Sequence, residues 1–181
     1  MGTDKALLAV DGTPMARRVA DTLLAAGADE VIAQGGDPEA LAQLGLEVRP
    51  DRTPGGGPLP ATIQALEEAA EAGHQVVAVL SCDLVAPSPA AVLALVEALA
   101  ADADALGAIP VSDGHHQWTH AVWRTTAAGP LVASGAASLR RATAGLRLLE
   151  VLDLPAAALA DADTPDDLLR PGEERAEPEA R

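Results

Sequence analysis

Short apolar runs alternate with longer stretches of helical periodicity along most of this chain. Runs of about five apolar residues predict strands, and apolar residues three or four positions apart predict amphipathic helices. We expect strands at residues 30–34, 46–49, 75–80, 105–111, 117–124 and 147–151. We expect helices at residues 14–26, 38–45, 58–72, 89–101 and 136–144, and a short helix from Thr164. This alternation indicates an α/β fold with a mainly parallel sheet.

Proline, glycine and valine refine several of these elements. Thr13 and Pro14 are typical of an N-cap and a first helical residue, and Gly27 is typical of the end of the same helix. The run at residues 75–80 contains three valines, which predicts a strand buried on both faces. The turn residues at 112–116 predict one antiparallel hairpin.

Composition restricts the kind of core that the chain can build. Of its 181 residues, 49% are hydrophobic, yet it has no Phe, no Tyr and only two Trp. A core of Leu, Val and Ala suits helices layered against a sheet. We expect one domain over residues 1–170, followed at 171–181 by a disordered tail of Glu, Arg, Pro and Ala.

Charge and cysteine content exclude several classes of function. A net charge of −15 argues against binding nucleic acid through neutralisation of its phosphates. A single cysteine, Cys82, excludes an internal disulfide, and we expect it to be a small buried residue. No apolar stretch approaches the roughly 20 residues of a membrane span. We therefore expect a soluble cytoplasmic protein with no membrane or nucleic-acid partner.

Three short motifs carry the residue types that a nucleotide and a metal ion require. Met1–Lys5 reads Met-Gly-Thr-Asp-Lys, and its lysine offers a mobile cation to a polyphosphate. In Pro54–Leu59, glycines precede a helix and allow backbone N–H groups to approach a ligand. In Ser81–Asp83, a carboxylate follows a predicted strand, and ligands of open α/β sheets bind beside such strand ends. A carboxylate there is a ligand that divalent cations prefer.

In this order, the motifs resemble those of the molybdenum cofactor guanylyltransferase family. The family signature begins with a strand and then reads L-A-G-G-x-S-x-R-M-G-x-D-K, of which this chain has only the last part, in Met1–Lys5. The resemblance covers residues 1–169 and implies a Rossmann-like three-layer nucleotidyltransferase fold whose first strand is missing. Because the loss of a central strand would leave its neighbours unpaired, we expect the natural gene product to begin about 15–20 residues earlier.

The resemblance also implies an activity and a set of site residues. The family transfers GMP from magnesium-bound GTP to the molybdopterin cofactor and releases pyrophosphate, and a molybdoenzyme is a further candidate partner. By resemblance, Lys5 and Asp83 are catalytic, and Asp83 also binds Mg²⁺. The implied nucleotide-binding residues are Gly2, Lys5, Gln34, Asp51 and Gly57.

Three of these residues also have a purely structural alternative. Lys5 also fits a solvated surface lysine, Asp83 a capped turn, and Asp51 a turn-rich loop. Residues 161–168 match a family ending that lies near metal and substrate, and Asp163 there fits equally well as a helix N-cap. For the whole chain, the alternatives are a transferase that uses CTP or a sugar phosphate, and a truncated relative without catalytic activity.

Overall fold

The computed structural model describes residues 5–162, so the predicted tail at 171–181 and the predicted helix from Thr164 lie outside it. The strands are Ala9–Val10 (β1), Thr13–Pro14 (β2), Ile32–Gln34 (β3), Glu47–Arg49 (β4), Val76–Leu80 (β5), Gly107–Ser112 (β6), His115–His116 (β7), His120–Arg124 (β8) and Leu148–Val151 (β9). The α-helices are Met15–Ala25 (α1), Pro38–Gln43 (α2), Pro58–Glu71 (α3), Pro89–Ala101 (α4), Ala128–Ala133 (α5) and Leu139–Ala142 (α6). Short 3₁₀ turns occupy Lys5–Leu7, Thr125–Ala127 and Ala156–Leu159. Within residues 5–162, no helix is both long and apolar enough to cross a membrane.

The main sheet has the strand order β5-β8-β6-β7, and β9 pairs with β6 as well. Strand β8 is antiparallel to both β5 and β6, and β9 is parallel to β6. It follows that β5, β6 and β9 point in one direction, with β8 reversed between the first two. The predicted turn at 112–116 forms the antiparallel hairpin of β6 and β7. The α/β prediction is confirmed.

Helices cover both faces of the main sheet, because neighbouring residues on each strand point to opposite faces. On β8, Trp123 packs in a core cluster with Leu66 of α3 and Leu131 of α5. The adjacent Val122 packs in a second cluster with Leu95 of α4. The sheet thus lies between two helical layers, which gives the predicted three-layer arrangement.

A second, smaller sheet pairs β3 with β4 in parallel, and Gln34 is opposite Arg49. Helices α1 and α2 cover it, with Ala20 and Leu41 among the buried residues of its core. Among the described strands, none bridges this sheet and β5. Strands β1 and β2 form a separate antiparallel pair that leads directly into α1.

Two predicted features of the strands and helices were wrong in detail. Strand β5 was expected to be buried on both faces, yet Val76 is 39% exposed. The reason is that β5 is hydrogen-bonded only to β8 in the described part of the chain, so it is an edge strand. Pro14 was expected to be the first residue of α1, but it pairs with Ala9 of β1, and the helix begins at Met15.

Replacing Arg147 by glutamine is expected to cause a small decrease in melting temperature at neutral pH. Nη2 and Nε of Arg147 donate hydrogen bonds of 2.5 and 3.2 Å to Oδ2 of Asp102, and they hold the pKa of Asp102 below its usual value near 3.8. A lowered carboxyl pKa stabilises the fold above that usual value, and this stabilisation is lost as the pH falls through the lowered pKa. Melting curves of wild type and variant should therefore differ at neutral pH and converge in strong acid. The exposed Arg140, replaced in the same way, serves as the control.

Candidate nucleotide and metal site

The two residues predicted to be catalytic lie together beyond the carboxyl end of β5. Nζ of Lys5 lies 3.7 Å from Oδ2 of Asp83, and these side chains are 29% and 20% exposed. The hydroxyl of Ser81 donates a short hydrogen bond to Oδ1 of the same carboxylate. Asp83 is thus held by a cation on one oxygen and a hydroxyl on the other, while both charged side chains remain partly accessible to a ligand.

A segment distant in the chain pairs through its backbone with the loop that holds Asp83, and it carries a second carboxylate, that of Asp161. Leu84 forms an antiparallel bridge with Asp161, and the N–H of Ala162 donates a 2.9 Å hydrogen bond to the carbonyl of Asp83. The side chain of Asp161 is 37% exposed. Asp161 was not among the site residues selected from the sequence, although it begins the matched motif at 161–168. Asp163 of that motif lies outside the described residues.

A buried histidine lies against this second carboxylate. His120 pairs with Leu80 across β8 and β5, and its side chain is 1% exposed. Its Nε2 lies 3.2 Å from Oδ1 of Asp161. The direction of approach is unfavourable, so neither ring nitrogen of His120 has a hydrogen bond of acceptable geometry in the described structure. His120 was not among the site residues selected from the sequence, and the signal that could have found it was its place within the strand predicted at 117–124.

The Asp83 carboxylate fits a magnesium ion that shares its ligands with a substrate. Mg²⁺ is commonly bound by one or two carboxylates together with phosphates and water. Asp83 supplies such a carboxylate at an accessible position. Across residues 5–162 there is no cluster of three or more His, Cys, Asp or Glu side chains that could hold a metal by themselves. The arrangement therefore suits a metal that arrives with a polyphosphate better than a permanent structural metal.

Two predicted nucleotide-binding residues also lie together, at the end of the smaller sheet. Nε2 of Gln34 donates to the carbonyl of Ala61 at 3.1 Å and to Oε1 of Gln64 at 3.4 Å. It lies 3.5 Å from Oδ1 of Asp51. Gly35 has a φ of +74°, and a Cβ added to it would lie 3.7 Å from the Asp51 carboxylate. The chain therefore turns at Gly35 directly beside Asp51.

The glycines before α3 form a tight turn at the helix start. The N–H of Gly56 donates a 2.9 Å hydrogen bond to the carbonyl of Thr53, and a Cβ on Gly56 would lie 2.8 Å from Cγ of Pro60. No side chain fits there. Gly57 is the N-cap of α3 with a φ of +80°. Pro58 and Pro60 lack N–H groups, so few donors are available, and the anion contact at Gly57 stays a prediction.

The predictions for Gly2 and Cys82 have different outcomes. Gly2 lies outside the described residues, so its predicted role in nucleotide binding stays a prediction. Cys82 was expected to be buried, but it is exposed. The reason is its position in the loop that follows β5, between Ser81 and Asp83, rather than within the strand.

One helix positions both groups of polar residues. Ala61 and Gln64 of α3 contact Gln34, while α3 also packs against β5, after which Asp83 follows. Leu66 on the buried face of the same helix is fully inaccessible and belongs to the main core cluster. Helix α3 thus connects the pair of Lys5 and Asp83 with the group of hydrogen-bonding side chains around Gln34.

Comparison with known sequences gives a family for most of the chain. Residues 1–153 match the family model described as the MobA-like NTP transferase domain. A protein of Pelotomaculum thermopropionicum named "Probable molybdenum cofactor guanylyltransferase" is 49% identical over 84 residues. That stretch is 46% of this chain and 39% of the relative, so the match covers well under half of the relative's length.

Solved structures share the fold at low sequence identity. Molybdopterin-guanine dinucleotide biosynthesis protein A of Archaeoglobus fulgidus has a TM-score of 0.69 at 18% identity, over 92% of this chain and 88% of that one. A nucleotidyl transferase of Methanothermobacter has a TM-score of 0.68 at 21% identity, over 91% and 82% of the two chains. A 4-diphosphocytidyl-2C-methyl-D-erythritol synthase of Anaerococcus prevotii has a TM-score of 0.64 at 13% identity, over 88% and 85%. These matches establish a nucleotidyltransferase fold.

Proposed function

The chain belongs to the family of MobA-like NTP transferase domains, and from this premise we propose that it transfers GMP from GTP to a molybdopterin acceptor. In this reaction, a phosphate oxygen of the acceptor forms a bond to the α-phosphorus of GTP. The bond from that phosphorus to the bridging oxygen breaks, and pyrophosphate leaves. The observation that carries the proposal is the pair of Lys5 and Asp83, 3.7 Å apart beside the end of β5.

Asp83 is proposed to hold Mg²⁺ with its carboxylate oxygens, together with the phosphates of the nucleotide. When bound, the ion supplies positive charge to the phosphates of the nucleotide. Lys5, 3.7 Å from the Asp83 carboxylate, would add a second positive charge to the same site. Phosphoryl transfer depends chiefly on positioning and charge stabilisation, so Lys5 and Asp83 need no separate acid–base pair.

Gln34 and Asp51 are proposed to read the base of the nucleotide. The hydrogen bonds of Gln34 within the described chain all use its Nε2, which leaves Oε1 available to accept from a ligand. The carboxylate of Asp51 also only accepts. An edge made of acceptors suits guanine, whose N1–H and N2–H₂ groups both donate. Adenine and cytosine each present only one amino group at the corresponding edge, so GTP should bind better than ATP or CTP.

The proposed activity is tested by measuring pyrophosphate release with Mg²⁺ and molybdopterin, using GTP, CTP or ATP as the nucleotide. GTP is expected to give the highest kcat/KM. Faster release with CTP, or with a sugar phosphate as acceptor, would favour a different transferase of the same fold. If no combination released pyrophosphate, the chain would instead be a relative without catalytic activity.

The Asp51→Asn variant is expected to lose about tenfold in kcat/KM for GTP, and to lose much less for CTP. Asparagine keeps the shape of the side chain but replaces one acceptor with a donor, which opposes the donors of guanine. The measurement is kcat/KM for both nucleotides. Asp29→Asn, at an exposed position between α1 and β3, is the control and should leave the ratio unchanged. Equal losses for both nucleotides would contradict the role in base recognition.

A further inference from the structure

Gln64 is a buried amide on α3 whose polar atoms are all satisfied by the protein. Gln64 is only 3% exposed. Its Nε2 donates to the carbonyl of Pro50 and to Oε1 of Glu68, both at 2.9 Å. Its Oε1 accepts from the backbone N–H of Arg52 at 2.9 Å. A buried amide in this position holds the loop around residues 50–52 against the helix.

The backbone partners of Gln64 fix which way its amide points. A carbonyl such as that of Pro50 only accepts, and the N–H of Arg52 only donates. Rotating the amide by half a turn would place like groups against each other at both ends, and buried groups without partners are costly. Oε1 of Gln64 must therefore lie on the side of Arg52.

This orientation determines that of Gln34 in turn. Oε1 of Gln64 lies 3.4 Å from the amide of Gln34, so Gln34 must present its NH₂ group there. The carbonyl of Ala61, at 3.1 Å from the same NH₂, imposes the same orientation. The carbonyl oxygen of Gln34 is then the atom that remains for a ligand. Asp51 lies between Pro50 and Arg52, whose backbone groups are both bound to Gln64.

We propose that Gln64 is a positioning residue that sets the nucleotide preference of the site. Gln64 fixes the orientation of the Gln34 amide and the position of the backbone at residues 50–52. In this way it keeps the acceptor atoms of Gln34 and Asp51 directed at the base. The inference rests on the proposed function, because it takes these two residues as the base-reading edge. It adds a residue inside the protein on which that edge depends.

The test replaces Gln64 by methionine, which has a similar length but no amide. The affinities of the full chain for GTP and ATP are measured by calorimetry, with kcat at saturating GTP and the melting temperature. Affinity for GTP is expected to fall about tenfold, affinity for ATP to change little, and kcat to stay within about twofold. The methionine substitution is also made in a Gln34→Ala variant. There it should reduce the preference for GTP over ATP by a smaller factor than it does in the wild type, because the two residues act together.

Two further variants separate positioning from folding. Gln64→Glu keeps the shape and the oxygen that faces Gln34 and Arg52, but it replaces the donor to the Pro50 carbonyl and to Glu68 with an acceptor. It should therefore lose the preference for GTP over ATP, as the methionine variant does. Glu67→Gln removes the 2.7 Å ion pair with the guanidinium of Arg52 and leaves Gln64 intact, so the preference should not change.

Three results would overturn the inference. One is a folded Gln64→Met variant with the preference of wild type, and another is an equal loss of affinity for both nucleotides. If the methionine variant does not fold, a folded Gln64→Glu variant that keeps the wild-type preference overturns it. A wild-type chain that binds GTP no better than ATP would instead overturn the proposed base recognition, and this inference with it.

Discussion

The Asp83→Asn variant is expected to release pyrophosphate about 10²–10³-fold more slowly than the wild type. Asparagine keeps the size and much of the hydrogen-bonding capacity of the side chain, but it removes the negative charge that a magnesium ion requires. Lys5 would also lose its ion-pair partner at 3.7 Å. The measurement is kcat at saturating GTP and acceptor across a magnesium titration, with circular dichroism to confirm that the variant is folded.

Asp113→Asn is the matched control for this loss. Asp113 lies in the turn between β6 and β7 at a φ of 51°, a backbone conformation that asparagine also adopts readily. The control removes one carboxylate from the same chain and should leave turnover unchanged. Full magnesium-dependent turnover by a folded Asp83→Asn variant would refute the assignment of Asp83 to the metal.

Much of the fold could be predicted from the sequence because its signals are local. Valine-rich runs and the prolines and glycines around them located β5, α3 and α4 to within a few residues. Helix α5 was missed because it contains Gly129 and Pro130, which resemble a turn in the sequence. It forms where Leu131, which is 1% exposed, packs into the main core, and that contact is not visible locally.

The candidate site was predictable in its residue types but not in its arrangement. Motif resemblance selected Lys5 and Asp83, and the structure places them side by side. Asp161 reaches Asp83 only through a bridge between distant segments, so its position depends on the whole fold. Gln64 resembles an ordinary polar residue in a helix. Its importance follows from burial and from its backbone partners, neither of which a single sequence shows.

One large aromatic side chain occupies the centre of the main core. Trp123 is fully buried on β8 and packs with Leu66, Leu131 and other residues of the helices on that face. Gly107 on the neighbouring strand lies so close that an added Cβ would be 2.7 Å from Cε3 of the indole ring. With no Phe or Tyr in the chain, the fully buried residues that cluster with this ring are all aliphatic. They cannot refill the volume if the ring is removed.

Replacing Trp123 by alanine is therefore expected to lower the free energy of unfolding by about 3–5 kcal/mol. A loss of that size is a large part of the roughly 5–15 kcal/mol that stabilises a typical domain. Urea denaturation followed by circular dichroism should show a lower midpoint with a similar slope. Trp118→Ala is the matched control, because Trp118 is only partly buried and stacks on His116 at a centroid distance of 4.8 Å. The Trp118→Ala variant should lose much less free energy of unfolding. An equal decrease in both variants would show that Trp123 does not hold the core together.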